Sequence, residues 1–141
     1  MTREDLIIPG INIQAPWSGL ILSGRKTVET RSYPLPDRHK GKRLAIIETP
    51  GKDKSAGKAK IIGIVVFSHS FRYEYRKQWF DDIGRHLVKP NDSMYKFESN
   101  KPKYGWVVKS VVSLKAVVPP PKKRGIIFAS ECVLPGQFLP T

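Results

Sequence analysis

The stretch Ala15–Arg31, reading APWSGLILSGRKTVETR, constrains the fold most because its hydrophobic period changes part-way along. Pro16 has a φ already near the helical value and lacks only an N–H that a first helical turn leaves unpaired, so it marks a helix start. Trp17, Leu20 and Ile21 follow at i, i+3 and i+4, one apolar helix face. Gly24 stands where a left-handed residue closes such a helix, with Arg25 and Lys26 directly behind it. Beyond that point the period drops to two. Val28 and Thr30 alternate with Thr27, Glu29 and Arg31, and Tyr33 keeps the step, which predicts a short strand with a polar face. A short helix thus delivers a lysine at a turn and a Glu–Arg–Tyr row along a strand.

The flanking sequence adds strands. Residues 1–10 read as a loose leader ending in the turn pair Pro9-Gly10, and Ile11–Gln14 alternates as a short first strand. Leu44-Ala45-Ile46-Ile47 is a compact apolar run, expected to be a strand buried on both faces. Ile61–Phe67 is the most β-like segment, and Gly63 inside it predicts a bulge or a barrel bend. Tyr75, Trp79, Phe80 and Ile83 fall near helical spacing and predict a second helix within 73–86, followed by a loop or lid over 87–103. Tyr104–Val112 reads as a strand, with 114–118 as its extension or a further short strand. Pro119-Pro120-Pro121 then imposes an extended segment. Ile126–Val133 is the expected closing strand, and 134–141 a tail. With no repeat and no long linker, the 141 residues predict a single domain. The expected fold is α+β and β-rich: a small β-barrel of about five to six strands flanked by two helices.

Charge narrows the partners. The chain has 25 Lys and Arg against 12 Asp and Glu, a formal net charge of +13. Such an excess favours polyanions, because each neutralised phosphate releases condensed counterions. An anionic membrane surface is the weaker match, as no basic helix with an apolar face is evident. No apolar run approaches the ~18 residues of a membrane span, and Met1–Asp5 lacks the layout of a secretion signal. One cysteine, Cys132, excludes an internal disulfide and reads as a small buried side chain; a cytoplasmic setting is the default expectation.

The motif Gly24-Arg25-Lys26-Thr27-Val28-Glu29-Thr30-Arg31, preceded by Pro16-Trp17 and a short apolar helix, resembles the ASCH domain family. Gly41–Ile47, Gly63–Phe67, Tyr104–Val108 and the Pro119–Gly125 loop are similar to later family elements in the same order, leaving about residues 71–103 outside the resemblance. It implies a barrel related to the PUA fold, with the G-x-K-x-x-E-x-R element beside a cleft proposed to bind nucleic acid. The implied partner is RNA or another single-stranded nucleic acid, and the implied state is a monomer with no protein partner.

Lys26, Glu29, Arg31 and Tyr33 form the most convincing cluster. On the binding reading, Lys26 and Arg31 meet phosphate and Glu29 accepts from the amino or imino edge of a base. Trp17 and Tyr33 would stack, and Arg38, Lys40, Lys42, Arg43, Lys52, Lys54, Lys122, Lys123 and Arg124 would follow the backbone. Each has a plainer counterpart. Glu29 and Arg31, two apart on a strand, also fit a surface or barrel-end ion pair, Trp17 fits a core position, and the lysine loops fit solvated turns.

The alternative is a hydrolase acting on RNA or nucleosides, with Lys26, Glu29 and Tyr33 as catalytic candidates. Some small relatives of the family are amidohydrolases of N4-acylated cytidines, and their motif places a threonine nucleophile third after the lysine. Here that position is Glu29. Metal-dependent RNA cleavage is also attributed to members of the family. No cofactor is expected for binding, and a loosely held magnesium or manganese ion, on Glu29 or Glu48, enters only under the nuclease reading. The three histidines and single cysteine show no metal-ligand spacing.

Overall fold

The computed structural model describes residues 3–51 and 57–140. In chain order it contains β1 (Leu6–Gln14), α1 (Trp17–Leu22), β2 (Val28–Arg31), β3 (Arg43–Thr49) and β4 (Lys60–Arg72). These are followed by α2 (Arg76–Asp81), α3 (Ile83–His86), β5 (Tyr104–Val118) and β6 (Phe128–Leu134), with 3₁₀ turns at Asp37–His39 and Gly136–Phe138. The first strand starts earlier than the alternation at Ile11 predicts, because Leu6, Ile7 and Ile8 pair with β6. The expected helix over 73–86 is two short helices. Asp82 interrupts them, spending its carboxylate on Tyr73 and Arg85.

The strands make one mixed sheet in the order β2-β5-β4-β3-β1-β6, antiparallel except for the parallel β1–β3 pair. This corrects the barrel expectation: the sheet is open, with β2 and β6 as its two edges. The reason lies in how the edges are used. β2 has only four residues, all of them paired with β5. β6 is taken up by the first part of β1. Where a closing ladder would run, Trp106 of β5 stacks on Phe128 of β6, with ring centroids 6.3 Å apart and planes 7° from parallel. Arg31 crosses to β1 with its side chain, Nη2 donating to the Asn12 carbonyl at 2.9 Å. Bulky rings and a guanidinium fill the seam and keep the edges apart.

Period-two alternation puts the two faces of β3 into two cores. Leu44 and Ile46 join Ile11, Ile13, Ile21, Phe67 and Trp106 on one side. Ala45 and Ile47 join Ile8, Ile61, Cys132 and Leu134 on the other. All four residues of the run are fully buried, as the sequence predicts. A third, smaller cluster of Tyr73, Trp79, Val88 and Phe97 sits under α2 and α3.

Gly63 occupies the expected bulge: the β4 register slips on both of its neighbours between Ile61 and Gly63. A Cβ there would stand 2.5 Å from Leu22 Cδ1 and 2.6 Å from the Val112 carbonyl oxygen. The carbonyl belongs to the β5 backbone and cannot swing away as a side chain would. Gly63→Ala is therefore expected to lower the unfolding free energy by about 1–3 kcal/mol through overpacking, read from denaturant unfolding. A change within ~0.5 kcal/mol would show that β4 and β5 separate freely at this point.

Candidate functional site

The period change in Ala15–Arg31 folds as a tight turn. Gly24 takes φ +83°, the left-handed conformation that glycine adopts without a Cβ clash. Its N–H donates to Ile21 O at 3.0 Å, and the Lys26 N–H donates to Leu20 O at 2.9 Å. The turn sends Lys26 inward, to 1% exposure, although it follows Arg25 in what reads as a basic surface loop. Its Nζ donates to the His86 carbonyl, lies 3.8 Å from Glu29 Oε1 and sits 4.8 Å from the centre of the Trp17 ring. Burial pulls the amine down to about 8, partly opposed by Glu29.

Glu29 is equally enclosed. Oε1 accepts from the Thr30 N–H at 3.1 Å, and Oε2 accepts from Arg31 Nη2 at 3.0 Å. Arg31 also donates through Nη1 to the Tyr33 hydroxyl at 3.3 Å and lies 5.5 Å from the Trp106 ring centre. Burial alone would lower the guanidinium, but Glu29 and Tyr33 hold it above its ordinary value. Glu29 and Arg31 do point the same way along β2, yet they form a buried pair rather than the surface pair that also fitted the sequence.

Above this cluster opens a cavity of about 460 Å³, in the seam between the sheet edges. Asn12 and Gln14 of β1, Glu29, Thr30 and Arg31 of β2, Trp17, Thr49, Tyr95 and the segment 124–127 line it. Tyr95, from the segment read as a loop or lid, reaches across. Its hydroxyl donates to Gln14 Oε1 at 3.0 Å, and its ring meets Trp17 edge-on at 5.9 Å. A second cavity of about 580 Å³ shares Thr30, Arg31 and Tyr95 with the first and carries Lys96, Lys101 and Lys103 on its walls.

The predicted residues divide accordingly. Trp17, Glu29, Arg31 and Arg124 line the first cavity. Tyr33 lines only the second and packs edge-on against Trp106, so it is less open than its place before Pro34 suggests. Lys26 lies beneath the first cavity and lines neither. Lys122 and Lys123 are exposed next to Arg124. Arg38, Lys40, Lys42 and Arg43 line neither cavity; Lys40 pairs with Asp37 at 2.7 Å and Arg38 lies over the Phe128 ring. Lys52 and Lys54 fall outside the described residues.

Sequence reasoning missed Asn12, Tyr95 and the lysines of the second cavity. Asn12 had a readable signal, a polar residue between Ile11 and Ile13 at the end of an apolar strand. Its Nδ2 donates to the Gly125 and Ile126 carbonyls, each at 2.9 Å, and its own N–H donates to Ile127 O at 2.8 Å. Its Oδ1 is buried without a partner.

A magnesium or manganese ion does not fit the carboxylates proposed for it. Glu29 serves the Thr30 amide and two cations, while Glu48 accepts from the Ser18 hydroxyl at 2.6 Å and pairs with Lys60 at 3.6 Å. Among the described residues no three His, Cys, Asp or Glu side chains converge as a metal site.

Residues 11–115 match the family model of the ASCH domain. The chain belongs to the ASCH domain family. Solved structures with a similar fold include the ASCH protein of Zymomonas mobilis, at 18% identity and a TM-score of 0.61, aligned over 79% of this chain and 72% of that one. A serine-to-alanine mutant of the same protein aligns at 15% identity over 86% of each chain, with a TM-score of 0.65. At these identities the likeness is one of fold. No curated protein sequence matched the chain significantly.

Two outcomes follow for this ASCH domain's charge cluster. Glu29→Gln leaves Lys26 buried and Arg31 half-buried without their shared counter-charge, so a stability loss of up to about 3–5 kcal/mol is expected. A surface pair would lose no more than ~1 kcal/mol, and denaturant unfolding separates the two. The pH dependence has the opposite sense from a favourable lysine pair. The folded amine titrates near 8 and the unfolded one near 10.5. Between those values the unfolded chain binds more protons, so stability rises with pH. The unfolding free energy of the wild type relative to Lys26→Met should increase across that window; a flat or falling difference would contradict a desolvated amine.

Proposed function

We propose that this ASCH domain binds single-stranded or locally unpaired RNA by holding one nucleotide in the cavity between the sheet edges. The observation that carries the reading is convergence. Trp17, Glu29 and Arg31 from the motif and Arg124 from the proline-basic loop, about a hundred residues apart in sequence, line one cavity of about 460 Å³. That volume lies in the range of small-ligand pockets, roughly 300–1,000 Å³. Trp17 offers an aromatic surface, and Tyr95 packs edge-on beside it on the same part of the wall. Glu29 supplies a carboxylate able to accept from a base amino or imino group, the contact by which acidic side chains read cytosine N4. Arg31 gives three of its five guanidinium N–H groups to Asn12, Glu29 and Tyr33, and offers a ligand the remainder together with a charge held by the cluster beneath the cavity.

The phosphate path follows from the basic residues at the rim. Arg124 with Lys122 and Lys123 stands on one side, and Lys96, Lys101 and Lys103 border the adjoining cavity. The choice of RNA over DNA rests on the family alone. Hydrolysis draws no support from the geometry. Lys26, the base it would need, is sealed below the cavity and bonded to a carbonyl, and the nucleophile position of the amidohydrolase motif is Glu29.

Titration of a short single-stranded RNA at increasing salt tests the reading. The log–log slope should be steep, about −0.7 for each phosphate contacted. Arg124→Ala should make it shallower by about one contact. Binding that is absent, or unchanged between low and physiological salt, would overturn the proposal.

A further inference from the structure

Ile126 is 96% exposed, the most exposed large apolar side chain among the described residues. Lone surface aliphatics are ordinary, and most need no account. This one differs in how it is held and where it stands. The Asn12 amide clamps the backbone on either side of it, through the Gly125 and Ile126 carbonyls at 2.9 Å, and the Asn12 N–H takes the Ile127 carbonyl at 2.8 Å. The Gly125 N–H adds a turn bond to Phe128 O at 2.8 Å. Its main chain is thus fixed to β1 by several hydrogen bonds while its side chain projects into water at the cavity rim. Asn12 spends both donors of its side-chain amide on this clamp and leaves Oδ1 buried and unpaired. An unpaired buried acceptor costs stability, so holding this loop in place outweighs satisfying that oxygen.

The surroundings specify the partner. Lys122, Lys123 and Arg124 precede Ile126 with only Gly125 between, so the exposed aliphatic group emerges close to three positive charges. An apolar protein partner would have to desolvate those charges. A nucleic-acid strand neutralises them with phosphate and offers apolar base faces between its charged backbone positions. Branched aliphatic side chains enter such stacks as wedges and separate neighbouring bases. A nucleotide drawn out of a stack into the cavity leaves a gap beside the rim, where Ile126 stands.

We infer that Ile126 is a wedge that enters the base stack next to the nucleotide held in the cavity, displacing the stacking partner that the nucleotide has left. The inference rests on the nucleotide-binding reading above and adds a role that reading does not require. It also makes the ligand a strand with a neighbouring base, since a free mononucleotide has no stack to enter.

The test compares wild type, Ile126→Ser and Ile126→Phe on two probes, a short adenosine-rich RNA strand, which is stacked in solution, and adenosine monophosphate. Ile126→Ser should weaken strand binding by about tenfold, as loss of a wedge forfeits the offset to unstacking. Its affinity for the mononucleotide should fall by much less, since Ile126 meets the cavity only at its rim, and the salt slope and the thermal unfolding midpoint should stay as in wild type, since charge and packing are unaltered. Ile126→Phe should restore strand affinity. Equal strand affinity for wild type and Ile126→Ser would overturn the wedge while leaving nucleic-acid binding intact. Equal loss on both probes would make Ile126 a cavity wall and also overturn it. Failure of the wild type to bind the strand at all would remove the nucleotide-binding reading and the wedge with it.

Discussion

One carboxylate placed between a buried lysine and a half-buried arginine is the interaction on which the rest of this structure depends. Lys26 could not occupy its buried place alone, nor Arg31 its half-buried one without cost, because stripping water from an unpaired charge costs several kcal/mol even after relaxation. Glu29 makes both tolerable, and its burial at 6% exposure makes both necessary. The cluster then reaches outward to the surrounding elements. Lys26 ties the motif turn to the end of α3 through the His86 carbonyl and to α1 through the Trp17 ring. Arg31 ties the edge strand β2 to β1 through the Asn12 carbonyl. Asn12 in turn fixes the loop that leads into β6. The walls of the cavity are therefore linked to one another through a few polar contacts, and the apolar cores set only their distance apart.

The cavity exists because the sheet does not close. A barrel would pair the backbone edges of β2 and β6 and close the gap between them. In the open sheet the polar face of β2 lines a cavity, with Trp106 and Phe128 stacked beneath the gap. Edge strands usually carry a risk of unwanted pairing. Here β2 is very short and its side chains are engaged across the seam, which leaves little edge to template another strand.

Much of the site was legible in the sequence, where local chemistry decided the outcome. The switch of period across Ala15–Arg31 placed α1, the left-handed Gly24 and the Glu29–Arg31 row on one face of β2. The apolar run at Leu44–Ile47 announced a strand buried on both faces, and Gly63 its bulge. What stayed hidden depended on long-range placement. The burial of Lys26 is set by a carbonyl sixty residues away, so from the sequence it read as a phosphate contact or a catalytic group at a turn. Closure of the sheet depends on which strands meet at its ends, and no local pattern records that. The basic loop at 38–43 looked as good as that at 122–124, but only the second leads into the seam. Asn12 and Tyr95 act through partners far along the chain and looked like one step of an alternating strand and a lid residue.

The central claim is that the seam cavity receives a nucleotide and the basic loops only guide the strand. Backbone and side-chain amide shifts followed by NMR during titration with a mononucleotide address it directly, because such a probe has too little charge to be drawn to the loops at large. The account requires the largest changes at the Asn12 side-chain amide, Trp17, Glu29–Arg31 and residues 124–127, converging on one saturable site. Changes confined to residues 38–43 and to Lys122 and Lys123, with the cavity residues unmoved, would contradict it.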